Sequence, residues 1–214
     1  MKAASFLLIF LFFFIIACKE NPTETITPPD NQPDTTSQNF TFETIEFGDG
    51  NESSYFNDVW VFDENNIWAV GYLDIKDSVF LNQGHYNPNI IQWNGKRWKL
   101  LPFTGTSSGI YGIWAIDSTN VFLANGIVVH YKNGNFVYED FSNLPWTNGQ
   151  AVHHLWGSSE SNIYGVGPGG TIVHYNGSNW SKIDFETGWR INDITGNTLT
   201  GKAYAAANNS NFTF

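Results

Sequence analysis

The chain has 214 residues, a formal net charge of −10 and 17% aromatic residues. Ten basic residues against twenty acidic ones exclude a nucleic-acid binder, which needs a basic face. A single Cys excludes a disulfide scaffold and a Cys-rich zinc module. The apolar content is too high for a disordered chain, and low charge with abundant Gly, Trp and Tyr favours an all-β, turn-rich protein.

Residues 1–17 are predicted to be a lipoprotein signal peptide. Lys2 is followed by an apolar run from Phe6 to Ile16, too short for a helix to cross a bilayer core of ~30 Å. The run ends in Ile-Ile-Ala-Cys, which resembles the lipobox of bacterial lipoproteins and implies that Cys18 is lipidated. The alternative is an ordinary signal peptide with a chance Cys. The expected location is the bacterial cell envelope, as an outer-membrane lipoprotein facing the periplasm or the cell surface.

Residues 18–39 are predicted to be a disordered tether. They are rich in Pro, Thr, Asp and Asn and hold Ile26 as their one large apolar residue. Such a segment cannot bury enough surface to offset the entropy lost on ordering. It would hold the folded part clear of the membrane.

Three segments then repeat one pattern, in which a Trp is followed six residues later by Asn, then by Ile or Val, then by an aromatic residue. They begin at Trp60, Trp114 and Trp156. Each is followed by a second segment in which two aromatic residues flank four turn residues containing Asn-Gly, a strong hairpin signal. These flanking pairs are Trp93 and Trp98, Tyr131 and Phe136, and Tyr175 and Trp180.

Each unit therefore holds four short strands, named A to D in chain order. Four strands in about 40 residues is the period of a β-propeller blade, so residues 40–214 are predicted to be propeller repeats of four-stranded antiparallel blades. A β-sandwich is the main rival, but it would not require the same Trp-to-Asn spacing in successive units.

A fourth, weaker unit has strand A at residues 191–196 and strand B at residues 202–207. Residues 40–47 alternate like a strand and could serve as its strand D, which would close a ring of four blades and remove an exposed sheet edge. The other interpretation is that the chain forms part of a six- to eight-blade ring.

The third unit, from Trp156-Gly157-Ser158 to His174-Tyr175-Asn176-Gly177 and Trp180, resembles a propeller repeat of bacterial surface and secreted proteins. It is distantly similar to the BNR (sialidase-type) and photosystem II assembly-factor propellers. The resemblance implies architecture and leaves function open, because propellers host unrelated activities.

Residues that recur in every unit are interpreted as structural. The three anchor Trp residues are expected to pack between blades. The acidic and amide residues around the A–B turns are expected to cap the turn backbone, and the two C-strand His residues to form hydrogen bonds on a strand face. The turn residues are Asp63 and Asp117 with Asn66, Asn120 and Asn162; the His residues are His130 and His174, where the first unit has Gln92.

Catalytic and metal chemistry find little support. The sialidase resemblance would require three Arg around a substrate carboxylate, and this chain has two. Asp58 and Asp193, at the same place in strand A of units one and four, are the best carboxylate pair. His153 and His154 are adjacent, so their side chains should point to opposite faces and not chelate one metal. No metal site and no cofactor are predicted.

The candidate ligand face carries the B–C and D–A connections. Unit one has an insertion between Gly71 and Ile90 whose alternation suggests an extra hairpin. The D–A connections add exposed aromatic candidates, which are Tyr55, Tyr111, Trp146 and Trp189. Exposed aromatics beside polar groups suit a glycan or a surface protein, although these rings could simply close the core. The candidate ligand-binding residues are Tyr72, Asp74, Lys76, His85, Tyr86, Trp146 and Trp189.

The sequence thus favours a membrane-anchored, extracytoplasmic lipoprotein with a non-enzymatic binding or assembly module. Its expected partners are the membrane, through the lipid, and a glycan or surface protein. A carbohydrate-active propeller enzyme and an incomplete gene product are the alternatives.

Overall fold

The computed structural model describes residues 43–45, 54–73, 89–101, 103, 109–146, 149–185 and 188–209. The chain divides into two units, residues 1–44 and 45–214, and Glu43 and Thr44 are the described residues of the first. The signal peptide, Cys18 and the tether lie outside the described residues. Of the possible closing strand at residues 40–47, the described residues 43–45 are exposed and lie in no strand.

Fourteen strands follow within the described part of the second unit. They are β1 (Tyr55–Asp63), β2 (Asn66–Tyr72), β3 (Ile90–Trp93), β4 (Trp98–Leu101), β5 (Gly112–Asp117), β6 (Asn120–Asn125), β7 (Ile127–Lys132), β8 (Asn135–Tyr138), β9 (His154–Ser159), β10 (Asn162–Gly167), β11 (Thr171–Tyr175), β12 (Trp180–Lys182), β13 (Arg190–Asn197) and β14 (Lys202–Asn208).

In these residues the strands form three four-stranded sheets and one two-stranded sheet. Each sheet follows chain order, as β1-β2-β3-β4, β5-β6-β7-β8, β9-β10-β11-β12 and β13-β14, and the pairing is antiparallel throughout. We call these sheets blades one to four. The predicted all-β fold of four-stranded antiparallel blades is confirmed. The strand C expected near Phe214 lies outside the described residues.

The first strands of successive blades lie side by side, because β1 contacts β5, β5 contacts β9 and β9 contacts β13. This is the arrangement of a propeller, in which strand A of each blade lines the central axis. In the part of the chain that the structure describes, no helix is long and apolar enough to cross a membrane.

The anchor Trp residues fill the space between blades, as predicted. The indole of Trp60 packs edge-on against Trp114 of blade two, with ring centroids 6.5 Å apart. A Cβ on Gly157 of blade three would lie 2.7 Å from Cζ2 of Trp114, and a Cβ on Gly196 of blade four would lie 2.5 Å from Cζ2 of Trp156. Trp114 and Trp156 therefore each need a small residue on the next blade.

The aromatic pairs of the C–D hairpins face each other directly across the two strands. The pairs are Trp93 with Trp98, Tyr131 with Phe136, and Tyr175 with Trp180. Their ring centroids are 5.7, 4.9 and 5.1 Å apart. Such cross-strand aromatic pairs stabilise a sheet, which explains why both positions are aromatic in every complete blade.

The Asn-Gly pair of blade two lies one residue later in its C–D turn than the pair of blade one, and it makes a different turn. There Asn133 and Gly134 both have positive φ, 50° and 88°, as a two-residue type I′ turn requires. In blade one the side chain of Asn94 instead accepts hydrogen bonds from the amides of Lys96 and Arg97, and only Gly95 has positive φ. One dipeptide thus serves two turn types.

The residues around the A–B turns divide into two roles. Asp63 and Asp117 cap the turns as predicted, because each accepts a hydrogen bond of 2.7 Å from the amide two residues later. The prediction that the recurring Asn residues also cap these turns is wrong. Their amide oxygens instead bond strand C across the blade, as Asn66 with Gln92 (3.2 Å), Asn120 with His130 (2.6 Å) and Asn162 with His174 (2.8 Å). The two His residues therefore act as strand-face hydrogen bonders, as predicted.

Candidate functional site

One position, two residues before the anchor in strand A, brings polar groups together at the axis. It holds Asp58 in β1, Gly112 in β5, His154 in β9 and Asp193 in β13. The D–A connections enter the A strands at this end, so these residues lie on the predicted ligand face. Because the A strands lie side by side along the axis, this position follows one level at the mouth of the propeller from blade one to blade four.

Asp58 is held by backbone amides of two blades. Its Oδ1 accepts a hydrogen bond from Val59 (2.8 Å), and its Oδ2 accepts one from Ile113 of blade two (2.9 Å). Burial raises the pKa of Asp58, the two hydrogen bonds and His154 oppose this, and the charge of Asp193 adds to it. The carboxylate therefore ties blade one to blade two.

His153 packs flat on Tyr111 of blade two, with ring centroids 4.0 Å apart and an interplanar angle of 11°. The blades approach so closely here that a Cβ on Gly112 would lie 2.5 Å from the carbonyl oxygen of His153. Burial, Arg190 and His154 together lower the pKa of His153 to about 4. The imidazole is therefore neutral near pH 7.

His154 points to blade four, where its Nδ1 lies 4.0 Å from Oδ1 of Asp193. Asp193 also accepts a hydrogen bond from the amide of Ile194 (2.8 Å), and both Asp193 and Arg190 are exposed. We call Asp58, His153, His154, Arg190 and Asp193 the axial cluster. It offers solvent both signs of charge and several hydrogen-bonding groups.

The two adjacent His side chains point to different neighbours, as their alternation in a strand requires. Among the described residues, no group of three or more His, Cys, Asp or Glu side chains is placed to hold a metal ion. The cluster is therefore described by hydrogen bonding and charge.

Two of the sequence-predicted ligand residues, Tyr72 and Trp189, are described at this end of the blades. Tyr72 ends β2 and stacks on Tyr55, with centroids 5.8 Å apart. Trp189 is exposed and directly precedes Arg190 of the axial cluster. Asp74, Lys76, His85 and Tyr86 lie outside the described residues, as does most of the insertion.

Trp146 is placed differently, in the packing between blades two and three. Its ring lies 5.5 Å from that of Phe141, and its Nε1 donates a hydrogen bond to the Phe141 carbonyl (3.2 Å). The half-buried indole packs against the apolar core shared with Trp180. Core closure, the alternative considered for these aromatics, is the role that these contacts give Trp146.

A polar cavity of about 280 Å³ lies between blades two and three at the opposite end, where the A–B and C–D turns are. Sequence reasoning had not identified it. Lys132 and Glu160 contribute charges of opposite sign, and His130, Phe122 and Tyr175 line its inner part. His130 is also bonded to Glu139 (3.2 Å), which accepts from Trp180 Nε1 of blade three (3.2 Å), so these polar groups already join two blades.

Comparisons with known proteins identify little. No family model matches the chain, and no curated protein matches it. Among solved structures, the chain is similar to one described as "YCF48 bound to D1 peptide", with 13% sequence identity and a TM-score of 0.47. The match covers 64% of this chain and 42% of that one, so the chain spans less than half of its length.

Proposed function

We propose that this chain is a non-enzymatic binding module that recognises a glycan at the axial cluster. The observation that carries the proposal is the meeting of both signs of charge and exposed aromatic side chains where the A strands begin. Sugar hydroxyls both donate and accept hydrogen bonds, which suits Asp193 as an acceptor and Arg190 as a donor. The exposed indole of Trp189, next to Arg190 in the chain, suits stacking on the apolar face of a sugar ring.

Binding should be measured on an array of bacterial envelope glycans with the wild type, Trp189→Ala and Asp193→Asn. Loss of a stacking ring is expected to weaken binding about 2- to 10-fold, and loss of the carboxylate acceptor about tenfold. Tyr138→Ala is the matched control, since this exposed ring lies on the outer strand β8 and its loss should leave binding unchanged. Equal binding by all four proteins would contradict the proposal, and binding to surface proteins alone would change the ligand class.

A hydrolytic enzyme acting on carbohydrate is the second candidate. It is favoured by one observation, the raised pKa of Asp58 near Asp193, since a protonated and an ionised carboxyl group are the pair that glycoside hydrolysis uses. The backbone hydrogen bonds that occupy both oxygens of Asp58 favour a structural role instead. Release of reducing sugar by the wild type, lost in Asp58→Asn, would replace the binding proposal with this one.

We further propose that Cys18 is lipidated and anchors the module in the bacterial envelope. The Ile-Ile-Ala-Cys junction supports this, and two or more acyl chains hold a protein stably, since each buried CH₂ contributes ~0.8 kcal/mol. Growth with a fatty-acid probe should label the wild type and not Cys18→Ser. The wild type should sediment with membranes, and equal labelling of both proteins would contradict the anchor.

A further inference from the structure

The interface between neighbouring blades is built three times in this chain from the same positions. In strand A of blades two, three and four, the residue just before the anchor position is buried against the preceding blade. These residues are Ile113, Leu155 and Ile194. The residue just after the anchor is small in each case, namely Ala115, Gly157 and Gly196. An anchor Trp of the preceding blade packs over it, as described above for Trp114 and Trp156.

Blade one presents the same two positions to solvent. Val59 occupies the position of Ile113, and Val61 that of Ala115. The side chain of Ile113 is 3% exposed, whereas Val59 is 54% and Val61 61% exposed. Two β-branched apolar side chains thus stand side by side on a sheet face that is covered in every other blade.

Blade four presents the other half of the interface. Thr195 occupies the position of the anchor Trp in the preceding blades, and its cross-strand partner is Tyr204. In the preceding blades the cross-strand partner of the anchor is Trp68, Phe122 or Tyr164. Trp68 and Phe122 are buried, whereas Tyr204 is 63% exposed. The faces on blades one and four are therefore the two halves of an interface that the chain uses three times internally.

The side-chain sizes at the two exposed faces are exchanged relative to the internal interfaces. Inside the chain a large Trp meets Ala or Gly, while here the anchor position holds the smaller Thr195 and the facing position holds the larger Val61. Close packing tolerates such exchanges when the total volume is kept, and a Trp against Val61 would be overpacked. The sizes therefore fit Thr195 to Val61 better than either residue fits an internal interface.

We propose that a second copy of this chain covers these faces. Blade four of one copy packs on blade one of the other, and two copies close into a ring with two identical contacts. The contact continues the blade–blade interface already described, in which each face meets the complementary face of another blade. Both faces are exposed among the residues that the structure describes, and each of two copies would supply the face that the other lacks.

Cross-linking tests this directly, since Cys18 is the one Cys of the chain. The full chain carrying Cys18→Ser is kept in detergent, and Val61→Cys and Thr195→Cys are added separately and together. Mixed single variants should be joined into a covalent dimer by a short thiol-directed cross-linker, at least about tenfold faster than Thr195→Cys mixed with Val137→Cys. Val137 is the matched control because its exposure of 54% is similar to the 61% of Val61 and it lies on the outer strand of blade two.

The chain carrying both substitutions separates the alternatives. A covalent dimer supports the proposal, whereas an internally cross-linked monomer means that one chain closes on itself and overturns it. Thiols that do not react above the control rate mean that something else covers the faces, and this also overturns it.

The mass of the Cys18→Ser chain in solution is an independent measurement. Light scattering should give the mass of two chains, Val61→Arg should halve it, and Val137→Arg should leave it unchanged. A monomer before substitution, or an open series of larger assemblies, would overturn the closed pair.

Discussion

Trp114→Ala should reduce the free energy of unfolding by about 3–5 kcal/mol, the range found when a buried large aromatic side chain is truncated. The indole is 6% exposed and fills the space between blades two and three, where Gly157 allows its close approach. Its removal leaves a cavity that neighbouring strands cannot fill, because both blades are fixed by their own hydrogen bonds. Chemical denaturation followed by Trp fluorescence and circular dichroism would measure the loss.

Two further variants make this result specific to the interface. Trp189→Ala removes an exposed indole and should change stability by no more than about 0.5 kcal/mol. Gly157→Ala should cost about 1–3 kcal/mol in the wild type through overpacking, and much less in Trp114→Ala, since the added methyl group then occupies the vacated space. Additive effects of the two substitutions would show that the side chains do not share one interface.

Acidification should destabilise the chain through His153. An unfolded His has a pKa near 6.5, while the folded value is about 4, so the unfolded state takes up the proton first. The stabilising contribution is complete above about pH 6.5, falls as the pH drops toward 4, and changes no further below it. Since the side chain is only half buried, solvent screening reduces the effect to on the order of 1 kcal/mol.

Unfolding of the wild type and His153→Gln should therefore be compared at about pH 7 and pH 4.5. The wild type is expected to lose more stability than the variant over this interval. All other titratable groups are the same in the two proteins, so their contributions cancel in the comparison. Parallel losses in the two proteins would contradict the assignment to His153.

The repeat was readable from the sequence because its structural residues keep their types. Trp at the anchor and Asn-Gly between aromatic residues recur, and each has a local physical cause. The slip at Asn133-Gly134 was visible in the sequence, but the type I′ turn was not deduced from it. The role of Asn120 was missed because a side-chain amide can serve a turn or a neighbouring strand equally well, and only the folded distance to His130 decides between them.

The axial cluster was harder to predict for the opposite reason. Asp58, His154 and Asp193 occupy the same position in different blades but are not one residue type, so a search for recurring residues does not identify them. Asp58 and Asp193 were paired from their alignment, whereas the approach of His154 to Asp193 depends on the angle between blades. The exposure of Val59 and Val61 could not be predicted from the sequence either, because they alternate along strand A in the same way as the buried residues of the other blades.

Among the described strands, contacts between blades join successive blades, from β1 and β2 to β5, from β5 and β6 to β9, and from β9 and β10 to β13, as in a short one-dimensional array. In such arrays stability is approximately the sum of the intrinsic stability of each repeat and the coupling to its nearest neighbours. Blades two and three have a neighbour on each side, whereas the described strands of blade four, β13 and β14, are coupled to blade three through β9 and β10. In a single copy, amide hydrogens should therefore exchange slowest in the middle of the array, and opening should start at its ends and travel inward blade by blade.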